Sequence, residues 1–173
     1  MFASNSFDVA SLDIETHPIS ITSVKRNYHV RAVDWDTHRD RLLSIRRKVF
    51  IEEQGIPEAM ELDEEDASAL HLLALDEKDK PIGTARLAMD GRIGRVAVLA
   101  HWRKSGVGSS LMKPLIREAV LRGMESVYLH AQTTSLTFYE KLGFCPVGIE
   151  FEEAGIPHFE MILRHLKQQS SSV

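Results

Sequence analysis

A chain of 173 residues, 43% hydrophobic and 27% charged, is long enough to close one sizeable core and too short for two comfortable ones. Its formal charge of -4 argues against a nucleic-acid partner, because phosphate-backbone affinity comes from clustered Lys and Arg. The single cysteine, Cys145, excludes an internal disulfide and any Cys-cluster metal site. No apolar run spans a bilayer and residues 1–10 lack a basic, apolar leader, so a soluble cytoplasmic protein without membrane attachment is expected.

Residues 1–26 and 168–173 are weakly patterned or Ser-rich and read as tails or edge extensions, leaving 27–167 as a single domain. From Trp35 the pattern is helical: Asp36 or Thr37 can cap, Leu42, Ile45 and Val49 with Leu43 and Phe50 form a stripe, and Gly55 and Pro57 stop it. Leu70 to Asp76, Ile82 to Met89 and Ile93 to Leu99 read as three strands, the last two joined by the tight turn Asp90-Gly91, giving an antiparallel meander. A helix follows from Gly106 to Arg122, with Val107, Leu111, Leu115, Ile116 and Val120 inward; Pro114 predicts a kink or break near residue 110. Ser126 to Ala131 reads as a buried strand and Thr134 to Leu142 as a short helix capped by Gly143, with Phe144 folding back. Cys145 reads as a small buried filler, and Cys145 to Phe151 with His158 to Leu163 as a last pair of strands. The sum is an α/β mixed sheet with a strand-helix crossover at its centre.

The turn Arg103-Lys-Ser-Gly-Val-Gly108 carries the most chemistry. Glycines at 106 and 108 admit a ligand close to the backbone, and the N–H groups opening the helix lack intrahelical acceptors at the positive end of its dipole. A plain strand-to-helix connection is one reading of it. A nucleoside-triphosphate loop is not, because no Gly-Lys-Ser/Thr closes the turn, and the three-glycine dinucleotide spacing is missing. A diphosphate without a metal remains, with Arg103 and Lys104 as its counter-charge.

Arg-x-x-Gly-x-Gly after the strand Val96-Ala-Val98, followed by Ser135-Leu-Thr-Phe-Tyr-Glu-Lys-Leu-Gly-Phe144, resembles the GNAT superfamily of acyl-CoA-dependent N-acyltransferases. The likeness covers about residues 28 to 165, and the segments Val49 to Pro57 and Gly155 to His158 look like those of an uncharacterised bacterial branch. The resemblance implies a mostly antiparallel central sheet flanked by helices, with a strand-turn-helix pyrophosphate site. It implies that Arg103, Lys104, Ser105, Gly106, Val107 and Gly108 hold the coenzyme A pyrophosphate, with Ser109 as a hydroxyl donor, and that Val96, Ala97 and Val98 pair with the pantetheine arm. The Val98 N–H would polarise the thioester carbonyl, and Tyr139 would serve the leaving thiolate as acid, although Tyr139 on a short amphipathic helix also reads as a packing residue. No base transfers by motif. Glu53, His71 and His158 are candidates from this chain, for the base or for holding the acceptor, and each His also reads as structural; His101 and His130 could line the cofactor side without metal-ligand spacing.

Between Glu52 and Asp66 stand eight acidic residues and no Lys or Arg, in the segment that covers the acceptor pocket in this superfamily. That run either attracts a cationic amine or is a solvated acidic loop; Asp63 to Asp66 lacks the spacing of a calcium loop. Glu152, Glu153 and Glu160 lie in the hairpin expected opposite. The resemblance implies acetyl transfer from acetyl-CoA to a primary amine of a small molecule or peptide, with no metal, and leaves polyamine, amino sugar, amino acid and peptide amines open. A non-catalytic acyl-CoA-binding sensor or assembly subunit is the alternative, and a homodimer through edge strands is expected by analogy only.

Overall fold

The computed structural model describes residues 21–23, 27–61 and 64–164; the expected tails, apart from 21–23, lie outside the described residues, as does Asp63 of the acidic run. The described residues divide into two compact units, one ending at Leu115 and the other running from Ile116 onward. Every strand pairing among the described residues is antiparallel.

The first unit is a five-stranded sheet in chain order: β1 (Ile21–Ser23), β2 (Tyr28–Val33), β3 (Leu70–Asp76), β4 (Pro81–Leu87) and β5 (Ile93–Val98). The expected meander is β3 to β5; β1 and β2 extend it, β2 through a short run with Tyr28, Val30 and Val33 buried. Residues 71–75 of β3 and 82–87 of β4 are buried without alternation, as in strands covered on both faces. Helix α1 (Trp35–Arg46) packs on this sheet through Leu42, which joins Val33, Leu73 and Leu75, and through Ile45, which with Val49 meets Ala97. Its cap is Asp34, whose carboxylate accepts the Thr37 N–H at 3.1 Å, rather than the expected Asp36 or Thr37. Asp34 keeps extended backbone (φ -76°, ψ 138°), which a cap requires. The stripe through Val49 does not continue as α-helix; residues Arg47–Glu53 widen into a π-helix.

Helix α2 (Val107–Leu121) crosses the unit boundary. Pro114 does not break it as expected. One bond is lost, to the Ser110 carbonyl, but Leu111, Met112, Leu115, Ile116 and Ala119 are buried around the gap and hold the helix on either side. Ala119 takes the inward place expected of Val120, which is half-buried. Gly83 explains the close seat of α2 on β4: a Cβ there would lie 3.2 Å from Val107 and Leu111 side chains and 3.1 Å from the Ala97 carbonyl.

The second unit is a three-stranded sheet, order β6 (Ser126–Gln132), β8 (Ile156–Arg164), β7 (Cys145–Glu153), with helix α3 (Leu136–Glu140) entered by a 3-10 turn, Thr133–Ser135. The expected helix to Leu142 is shorter and ends in a Schellman motif: Phe144 N–H reaches the Tyr139 carbonyl at 3.1 Å and Gly143 N–H that of Glu140 at 2.9 Å, with Gly143 at φ 90°. Cys145 is exposed, against the expectation of a buried filler, because it opens edge strand β7 one residue after Phe144 has taken the core position.

Candidate active site

Strand β5 ends the five-stranded sheet, with β4 its only strand partner among the described residues. Residues 95 and 96 together face Ala85, a bulge in which Arg95 takes a left-handed φ of 53°. Beyond it the ladder recovers, and Leu99 N–H donates to the Ile82 carbonyl at 3.0 Å. Bonded and non-bonded pairs alternate in an antiparallel ladder. Val98, opposite Gly83, therefore turns its N–H and C=O away from β4 to the open edge, whereas Ala97 turns its polar groups inward and packs against Ile45 and Val49.

The chain then makes a 3-10 turn at Ala100–Trp102 and enters α2 through two left-handed residues, Lys104 at φ 59° and Gly106 at φ 93°. Alternation of this kind curls successive N–H groups toward one point. The first intrahelical bond of α2 is Ser110 N–H to the Gly106 carbonyl at 3.0 Å, so the N–H groups of Val107, Gly108 and Ser109 precede any carbonyl one turn back. The Ser105 hydroxyl is tied to the Trp102 carbonyl, and Tyr28 braces the turn from below, its hydroxyl 3.0 Å from Ser110 Oγ and its ring edge-on to Trp102.

Two candidates of different expected roles are joined here. Arg103 grips Glu53, the last residue of the π-helix, in a bidentate pair (Nη1 to Oε1 2.6 Å, Nη2 to Oε2 2.7 Å), while its Nε donates to the Val98 carbonyl at 3.0 Å. Hydrogen bonding from Arg103 holds the Glu53 carboxyl below its ordinary range, and the same bond holds the guanidinium above its own. His71 sits elsewhere. It is 1% exposed, its Nε2–H donating to the Asp66 carbonyl at 2.8 Å and its ring stacked on Trp35, and burial lowers its pKa.

In the second unit, Tyr139 is buried edge-on against Phe138 and Phe144. Burial pushes its phenol up to about 12, so it stays protonated far above neutrality. His158 is buried on β8, Nδ1–H donating to the Ile156 carbonyl at 2.7 Å and the ring stacked on Phe151.

A family model described as "Acetyltransferase (GNAT) domain" matches residues 19–165. The chain belongs to the GNAT acetyltransferases. Among similar proteins, the uncharacterized N-acetyltransferase YjcF of Bacillus subtilis is 37% identical over 122 residues, which cover 68% of this chain and 86% of YjcF. The crystal structure of Escherichia coli ElaA matches with a TM-score of 0.69 at 29% identity, covering 78% of this chain and 98% of that one. An acyl-CoA N-acyltransferase from Pseudomonas aeruginosa matches with a TM-score of 0.69 at 28% identity, covering 79% and 99%. The strand-turn-helix of this GNAT chain thus belongs to a fold shared with acyl-CoA enzymes.

The acidic run of this GNAT protein holds both buried and solvent-exposed ion pairs. Among the described residues, five of its carboxylates sit on arginines: Glu53 on Arg103, Glu58 on Arg47, Glu61 on Arg46, Glu65 on Arg86, and Asp66 on both Arg46 and Arg86. Asp66 takes Arg46 at 2.9 and 3.1 Å and Arg86 at 2.7 Å, all three side chains at most 2% exposed. A signal for this was present in the sequence. Arg46 follows Ile45 on the apolar stripe and Arg86 interrupts an apolar strand, and a buried guanidinium demands a carboxylate. The left-handed Arg95 and Lys104 left no such signal, since neither is a glycine.

Proposed function

We propose that this protein transfers an acetyl group from acetyl-CoA to a primary amine of a small molecule or peptide, by direct attack in a ternary complex. The observation that carries it is the outward Val98 N–H on an open strand edge, followed within a few residues by a left-handed turn that opens the N–H groups of α2. The residues fit a diphosphate: Gly106 leaves φ 93° unstrained, Lys104 is exposed, and the helix N-terminus favours an anion. Bound acetyl-CoA supplies an activated acyl group. The chain's part is to orient it: Val107, Gly108 and Ser109 hold the diphosphate, and Val98 donates to the thioester carbonyl, worth a few kcal/mol when such a donor is removed. Tyr139, whose phenol burial keeps protonated well above neutrality, is assigned by the family likeness as the acid for the leaving thiolate.

Arg103 enters as a brace. Its three donor positions are turned to Val98 and Glu53, so it fixes the strand edge against the π-helix, and Lys104 supplies the exposed positive charge. Ion pairing of Glu53 and burial of His71 favour, as a second reading, a non-catalytic acyl-CoA-binding subunit, because neither is poised to accept a proton. The homodimer expected by analogy and a cytoplasmic setting belong to the same proposal. Among the described residues no helix is long and apolar enough to cross a membrane.

A thermal-shift titration with acetyl-CoA, coenzyme A and ATP tests the donor site, since a native-state ligand raises the apparent Tm by mass action. Stabilisation by both coenzyme A forms and not by ATP supports the reading; no shift, or an equal one with ATP, removes it. Tyr139→Phe is then expected to slow amine-dependent thiol release without changing coenzyme A affinity. Zero turnover in wild type and variant against a broad amine panel leaves the binding subunit.

A further inference from the structure

Among the described residues, three of the non-glycine residues with a left-handed φ, Asp79, Lys104 and Ala154, lie in turns, and Arg95 at φ 53° is the one inside a strand. The left-handed place in a bulge where two residues face one is ordinarily a glycine's, because a Cβ there crowds the following carbonyl. An arginine keeps that conformation only where its surroundings hold it. The side chain of Arg95 shows what holds it. Its Nη2 donates to the Met60 carbonyl at 3.4 Å, and its Nε lies 3.8 Å from Glu61 Oε1. These acceptors stand at the end of a 3-10 turn, Glu58–Met60, and are themselves anchored: Glu61 is 4% exposed, and both its carboxylate and its carbonyl accept from the buried Arg46 of α1.

The bulge decides the phase of β5. Ala97 faces Thr84 and Val98 faces Gly83 only because residues 95 and 96 together stand opposite Ala85. Were the extra residue drawn into a regular ladder, every later residue would move one place, Ala97 to Gly83 and Val98 to Ile82. Bonded and non-bonded pairs alternate along the ladder, so the Ala97 N–H would then turn to the open edge and the Val98 N–H would enter the sheet. The same slip would carry the Ala97 methyl away from Ile45 and Val49. Which amide the edge presents is therefore tied to the strained residue three places earlier.

Building on the acyl-transfer reading, in which Val98 donates to the thioester carbonyl, we infer that Arg95 is a positioning residue for that donor. Its side chain, clamped on Glu61 and the Met60 carbonyl, holds its own backbone in the left-handed region, and the bulge so maintained keeps the Val98 N–H on the open edge. Arg95 acts through Val98 and not on the reacting atoms. The clamp ends within the acidic run, so that run serves the donor site by fixing backbone shape. Glycine takes φ 53° without strain and keeps the bulge with no clamp, whereas alanine keeps the strain and loses the clamp. Glu61 stays paired with Arg46 when Arg95 is replaced, so neither substitution strands its buried carboxylate.

The test is amide hydrogen exchange, read by NMR on the free protein with Val98 and Leu99 as reporters. In the wild type the Val98 N–H is expected to exchange fast, while the Leu99 N–H, donating to the Ile82 carbonyl, is protected. Arg95→Ala is expected to reverse the two, and Arg95→Gly to keep the wild-type pattern. Amine-dependent kcat is expected to follow, falling more than about tenfold in Arg95→Ala, as when such a donor is lost, and recovering in Arg95→Gly. Wild-type exchange in Arg95→Ala overturns the inference, and so does an Arg95→Gly as disturbed as Arg95→Ala. If Arg95→Ala does not fold, Arg95→Gly decides: a wild-type pattern upholds the inference, and unfolding or altered exchange overturns it. Because exchange is read without coenzyme A, loss of the acyl-transfer reading appears as a missing acetyl-CoA thermal shift, and loss of this one as a normal shift with unmoved amides.

Discussion

Two arginine–carboxylate constellations in the first unit share their chemistry and differ in their surroundings. Arg46 and Arg86 converge on Asp66 where all three are at most 2% exposed, while Arg103 holds Glu53 with both about two-fifths exposed. A buried pair has already lost its water and cannot let go, because either partner alone would be a stranded charge. An exposed pair can be exchanged for water at small cost. The first is therefore scaffold, fixing the acidic segment against α1 and β4. The second sits where the β5 edge and the glycine turn before α2 meet, and fastens them without locking them.

The contrast is sharpest if it is broken at Asp66. Asp66→Ala leaves two guanidinium groups buried without their shared acceptor, and a loss of about 3 to 5 kcal/mol is expected from urea denaturation at neutral pH. A loss below about 1 kcal/mol would show that water reaches the cluster and that the two constellations are alike.

A smaller effect reports the same burial through pH. His71, packed beside Asp66, has its pKa lowered below its ordinary 6.5 by desolvation, so the unfolded chain binds the proton more readily than the folded one. Its contribution is complete above 6.5 and is lost as the pH falls from there through the lowered folded value. His71→Leu is expected to flatten the stability profile across that window; a profile as steep as wild type would assign the acid sensitivity to other groups.

The smallest change is expected at the exposed pair. Glu53→Gln should lower stability by less than about 1 kcal/mol, and by less still in high salt. Because Arg103 holds the Glu53 carboxyl low, the wild-type contribution is present above the ordinary carboxylate range and fades only as the pH falls through the lowered value. A loss comparable to that of Asp66→Ala would make the Arg103 brace part of the scaffold.

The sites differ in how far they can be read from residues alone. The glycine turn is legible because φ 93° at Gly106 and a helix opening leave local marks, and the Tyr139 helix is legible because Gly143 closes it. The meander β3 to β5 follows from apolar runs and Asp90-Gly91. The acidic run is not legible in this way: its charge pattern is identical whether the carboxylates face water or arginines 11 to 50 residues away. His130 is likewise an unremarkable half-buried histidine until β7 and β8 bring Glu153 and Glu160 to it from 23 and 30 positions downstream.

By itself the sequence determined the rough extent of α1, α2 and α3, the β3–β5 meander, the β7–β8 pair and the glycine turn, since these rest on periodicity, capping and backbone freedom, which act within a few residues. Only the tertiary structure decided which carboxylate meets which cation, that Val98 faces an open edge, and that Pro114 is carried within an unbroken helix. Those outcomes depend on register, burial and desolvation, and a charge acquires its value only once its partner and its distance from water are fixed.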